Sequence, residues 1–180
     1  MKFYIFTLLL LAICIILCGC PYSSPYGIDA VAQQDIDESL LGNWATLVNK
    51  PSDDKHTKAD TVKIGITKYT DQEYAIAITG ALSELKSFHC LEKDTIKGKA
   101  YCSTIGQKQF LNAFIDGRTY IAEVSKTAAG LSIICLTERF SARYIMSSEQ
   151  LRNSIAYHYK VAITPAYDEF FVLKNLQKLP

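Results

Sequence analysis

The chain has 180 residues, 19 basic against 18 acidic, with a formal net charge of +1. Charges so evenly balanced, and scattered rather than blocked, give no support to nucleic-acid binding or to a polybasic membrane surface. Eleven tyrosines and eight phenylalanines favour a β-rich domain with an aromatic interior or rim.

The first element is a leader. Met1-Lys2 gives a minimal positive start, and from Phe3 to Leu17 only Tyr4 and Thr7 are not plainly apolar. A run of about 15 residues matches the core of a secretory signal and is short of the roughly 20 needed to cross a bilayer. Pro21 and the serines after it block its extension. The run ends Leu17-Cys18-Gly19-Cys20, which resembles the bacterial lipobox: an aliphatic residue, a small residue before the cut, and the cysteine to be acylated. That resemblance implies cleavage between Gly19 and Cys20, with residues 1–19 as signal peptide and Cys20 as a lipidated first residue anchored to its membrane. Cys18 stands where Ala, Ser or Thr is more usual, and an ordinary secretory signal or an uncleaved anchor is the alternative. In Gram-negative lipoproteins an Asp after the cysteine favours the inner membrane; Pro21 there leans toward the outer membrane. Residues 20–38, with two prolines, several small polar residues and no sustained apolar period, read as a lipidated tether.

Residues 39–180 form one domain large enough for a real core. "LLGNWATLV" opens it, a polar loop follows, and then strand signals dominate. "TVKIGIT" and "EYAIAIT" alternate apolar and polar residues with the period-2 mark of half-buried strands. Further strands are expected in "LKSFHCLE", "KAYCSTI", "QFLNAFI", "TYIAEVS" and "LSIICLT", with turns between them, including one at "DTIKGK". "LSIICL" is apolar on both faces, so its outer side needs a cover. The spacing predicts one helix over 147–160, where Ser147 and Gln150 form a capping-box pattern and Leu151, Ile155 and Tyr159 make one stripe. A final strand is expected from about Phe170 to Leu176. Nine strand candidates in so small a domain suggest a sheet closed on itself, because closure removes exposed edges.

Gly42-Asn43-Trp44 at the first strand resembles the Gly-x-Trp of lipocalins and their relatives, where the tryptophan closes the barrel base. The order of lipobox, tether, Leu-Leu-Gly-x-Trp, meander with Phe110-Leu111-Asn112, short helix and closing strand also resembles a broad class of small bacterial lipoproteins. The resemblance implies a mainly β fold, an antiparallel up-and-down barrel of about eight strands with one helix near the C-terminus. It supplies no arginine to pack on Trp44, although Arg139 or Arg143 could reach.

Three cysteines remain in the exported domain, an oxidising setting. If Cys90 and Cys102 flank a hairpin centred on residue 96 they face each other, which predicts a disulfide; two buried thiols are the alternative, and Cys135 is an odd buried thiol either way. The spacings contain no Cys-x-x-Cys, no metal-ligand set and no nucleophile motif. His56 sits in a charged loop, His89 points away from its neighbour Cys90 on a strand, His158 flanks the helix stripe, and Asp168 and Glu169 read as a solvated rim. No catalytic residue, metal or cofactor is assigned. Two function classes remain: a non-catalytic interaction or structural module of the cell envelope, partnered by another envelope protein, and a carrier for a small apolar ligand such as a lipid.

Overall fold

A computed structural model describes residues 23–48, 60–80, 95–136, 145–161 and 167–180. Nine strands are present among these residues: β1 (Ser23–Ser24), β2 (Gly42–Val48), β3 (Asp60–Lys68), β4 (Tyr74–Gly80), β5 (Thr95–Ile105), β6 (Lys108–Ile115), β7 (Arg118–Thr127), β8 (Gly130–Leu136) and β9 (Tyr167–Lys178). Strands β2 to β9 pair antiparallel in sequence order, and β9 returns to β2, closing an eight-stranded barrel. One helix, α1 (Ser148–Lys160), lies between β8 and β9. The expected fold is thus observed.

Alternation decides which residues go inside. Val62, Ile64 and Ile66 of β3 face the interior with Tyr74, Ile76 and Ile78 of β4, paired as Ile64↔Ile78 and Ile66↔Ile76. Leu111, Ala113 and Ile115 of β6 continue the set, followed by Tyr120, Ala122 and Val124 of β7. On β9 the buried Leu173 and Leu176 are three apart, out of phase for a plain strand. Ile133 pairs Leu173 while Leu131 pairs Leu176, so β9 carries an extra residue there, and Asn175 takes φ +55°. This β-bulge restores the inward phase.

The turn expected at "DTIKGK" is instead continuous strand. Ile96, the expected turn centre, is buried and pairs with Ile78 across β4. Gly98 gives the stretch the composition of a turn. A Cβ there would overlap the Phe114 carbonyl oxygen and come within 2.8 Å of Ile115 Cγ1, so this glycine marks close backbone approach inside a strand and not a turn. The Cys90–Cys102 disulfide loses its geometric basis with the hairpin. Cys102 carries a free, buried thiol facing the barrel interior. Cys90, His89 and the candidate strand "LKSFHCLE" lie outside the described residues, as do Gly19, Cys20, His56, Arg139 and Arg143.

Residues 23–37, read as part of a tether, run along the outside of the barrel. β1 pairs with the first half of β7, Ser23↔Tyr120 and Ser24↔Thr119, beside the stretch where β8 takes the rest of that edge. Ile28 is then buried with Phe110, Ile121, Leu136, Leu151 and Ile155, a second apolar cluster between the sheet and α1. Leu151 and Ile155 are the predicted helix stripe, and Leu136 is the outward residue of "LSIICL" that needed a cover. Ser147 caps α1, its Oγ accepting from Gln150 N at 3.2 Å. Gln150 Oε1 accepts from Met146 N at 2.8 Å, so the reciprocal bond reaches one residue beyond the cap.

A polar seam fixes the strap. Asn112, wholly buried on the outer face of β6, accepts from Ile28 N at 2.7 Å and donates to Ser103 Oγ at 2.8 Å. Tyr101 donates its hydroxyl to the Asp29 carbonyl, and the Asp29 carboxylate pairs with Arg152 of α1. Farther along, Ile36 N donates to the Asp71 carbonyl at 2.9 Å.

Candidate binding cavity

The antiparallel order puts the strand ends Val48, Asp60, Gly80, Thr95, Ile115, Arg118 and Leu136 at one end of the barrel, and Gly42, Lys68, Tyr74, Lys108 and Lys178 at the other, the base. The base is filled. Trp44 is buried, its indole Nε1 donating to the Leu40 carbonyl at 2.9 Å. The cation over its ring is Lys178, with Nζ 5.5 Å from the centroid. That contact explains the glycine of Gly-x-Trp, because Gly42 has φ +133° and a Cβ would meet Lys178 Cε at 2.6 Å. Lys178 was missed because the resemblance directs attention to arginine; its register opposite Trp44 brings it there.

At the same end, Asp37 N donates to the Tyr74 hydroxyl at 2.6 Å, and the Cys102 thiol lies 3.9 Å from the same oxygen. Burial pushes the Cys102 thiol up to about 11, against a smaller opposing effect of Tyr74. Burial also raises Tyr74 strongly, and Cys102 adds to it. Both groups are therefore neutral at physiological pH, which suits packing and not nucleophilic chemistry.

Between this floor and the far end is a cavity of about 40 Å³, lined on opposing walls by Ile64, Ile66, Ile76 and Ile78 and by Leu111, Ala113 and Ile133. Among the described residues no charged side chain lines it. At roughly 10–15 Å³ per water-sized occupant, such a space holds on the order of three small groups. An apolar cavity of this kind stays dry.

The one described histidine does not approach it. His158 sits on α1 beside Tyr157, ring centroids 6.2 Å apart, outside the barrel. Asp168 and Glu169 fall in β9. Among the described residues no group of three His, Cys, Asp or Glu side chains is placed to hold a metal, and no helix is long and apolar enough to cross a membrane. No protein-family model, curated protein or solved structure gives a significant match to this chain.

Proposed function

We propose that this chain is a lipid-anchored, non-catalytic module of the bacterial cell envelope, held to its membrane through Cys20 and acting by presenting its barrel to another envelope protein. The observation carrying the reading is the interior. Sites for small molecules enclose about 300–1,000 Å³, and the cavity here is about 40 Å³ above a floor filled by Trp44, Leu40 and Tyr74. The lipobox-like Leu17-Cys18-Gly19-Cys20 supports the anchor, and Pro21 after it supports the outer membrane.

The purely apolar lining favours one second reading, a carrier that takes the end of a hydrocarbon chain into the barrel. Native and denaturing mass spectra of the full chain, expressed in a bacterial host with its own leader, decide between the two. A bare native mass together with an acylated N-terminal cysteine is the expected result. A stoichiometric mass lost on denaturation would replace the interaction reading by the carrier, and an unacylated Cys20 would remove the anchor.

A further inference from the structure

Folding gathers cations that look scattered in the sequence. The outward positions of β3, β4 and the first half of β5 are Thr61, Lys63, Gly65 and Thr67, then Ala75, Ala77 and Thr79, then Thr95, Lys97 and Lys99. Every charge among them is positive. Register extends this face sideways in one row: Ala75 pairs with Lys99, Lys99 with Phe114, Phe114 with Thr119, and Thr119 with Ser24 of β1.

Phe114 is 52% exposed in this row, and Tyr69, also 52% exposed, holds the Lys99 ammonium 3.9 Å from its ring centroid. Exposed Arg118 stands at the start of β7. Among the described residues, acids at turns border the face, Asp71 and Glu73 at the base and Asp116 at the far end, with Asp71 paired to Lys68 at 2.6 Å. Two half-exposed aromatics among three cations form an interfacial pattern: rings for the headgroup layer and ammonium or guanidinium groups for anionic phosphates.

The strap supplies the second, independent observation. It is docked on the sheet from Ser23 onward, so only Pro21 and Tyr22 separate Cys20 from the folded body. Three peptide units reach at most about 10 Å. Phe114 is two strand spacings from Ser24, about 10 Å, and Lys99 three, about 14 Å. A lipid on Cys20 thus cannot hold this barrel far from its bilayer.

We infer that the face carrying Tyr69, Lys97, Lys99, Phe114 and Arg118 rests on an anionic bilayer surface beside the lipid anchor. The inference rests on the anchoring reading above and adds the orientation. Each cation near an anionic surface contributes roughly a fivefold gain in partitioning.

The test uses the full chain, processed in a bacterial host and reconstituted into phosphatidylcholine vesicles with or without phosphatidylglycerol, with brominated acyl chains. Trp44 is the single native tryptophan and is buried, so the parent gives the unquenched baseline. F114W should be quenched several-fold more than the parent in anionic vesicles, and K97E/K99E added to it should remove most of that quenching. F114W left unquenched while the protein floats with the vesicles overturns the inference. The mass of the extracted chain separates the causes. Acylated but unquenched protein refutes the docked orientation alone; an unacylated Cys20 removes the anchor and the orientation with it.

Discussion

Asn112→Ala is predicted to loosen the strap from the barrel and to cost about 3 kcal/mol. Asn112 is wholly buried, and its side chain accepts from the buried Ile28 N–H and donates to the equally buried Ser103 hydroxyl. Truncation leaves the Ile28 N–H without its acceptor where water does not reach, a penalty of roughly 1–3 kcal/mol. The lost bond to Ser103 adds about 1 kcal/mol, less what that hydroxyl recovers by rotating. For a domain of this size, about 3 kcal/mol corresponds to a fall of roughly 6–12 °C in Tm. Equilibrium urea unfolding measures the total, and limited proteolysis shows where it acts, with new cleavage between residues 23 and 34. Ser103→Ala is the control and should cost about 1 kcal/mol without exposing the strap. A loss below about 1 kcal/mol for Asn112→Ala, or a strap no more cleavable than in the parent, would refute the reasoning.

Gly42→Ala should destabilise by about 1–3 kcal/mol, since it forces a β-carbon into a positive-φ site and against Lys178; a shift in Trp44 fluorescence of the folded state should accompany it, and unchanged emission would count against the base geometry. Tyr159→Phe removes the 2.6 Å bond to the buried Glu123 carboxylate, which also holds Lys108; a loss of about 1.5–3 kcal/mol in thermal or urea unfolding is expected. The buried Cys102 thiol should resist aromatic disulfide reagents in the native protein and react fully in urea, and the denaturing mass should show no two-hydrogen deficit for a Cys90–Cys102 bridge. Its raised pKa also gives a signed pH dependence. The unfolded thiol ionises near 9.0 and the folded one near 11, so the unfolded state binds fewer protons between these values and stability falls as pH rises through that window. Tyr101, pushed up to about 12 chiefly by burial, extends the decline; stability that stays flat from pH 8 to pH 11 would contradict both.

The parts of the fold legible in the sequence are those where one local pattern decides. Strict alternation gave β3 and β4, because a half-buried strand has no other solution. The Ser147 cap with the Leu151, Ile155 and Tyr159 stripe gave α1. The double-faced "LSIICL" announced a cover without naming it. What was not legible depends on pairing across distance. Gly98 carries the composition of a turn, and only the approach of β6 makes it a strand residue. Ile28 is one apolar residue in a polar stretch, and its burial requires Phe110, Ile121 and α1 to be in place already. For the same reason a near-zero net charge concealed the grouping of Lys97, Lys99 and Arg118, which the register of β5, β6 and β7 creates. At the candidate site, Gly42 and Trp44 could be read as a base motif, whereas Lys178, nearly the last residue, could not be connected to them before the barrel closed.

That closure is slight. β2 and β9 share only the pairs Trp44↔Lys178 and Ala45↔Gln177, supplemented by Thr46 Oγ1 to the Lys174 carbonyl at 3.2 Å and Leu179 N to the Asn43 carbonyl at 2.7 Å. Every other neighbouring pair in the barrel is joined by a connection far shorter than the span from β2 to β9. Loop-closure entropy therefore falls most heavily on the seam that has the fewest bonds to offset it. The expected order of assembly follows: the meander from β2 to β9 gathers first as an open, curling sheet, and the base around Trp44 closes when the two chain ends meet. Seen in time, the tryptophan at the base is less a foundation than a latch, and amide exchange should find Trp44, Ala45 and Lys178 opening well before the central strands.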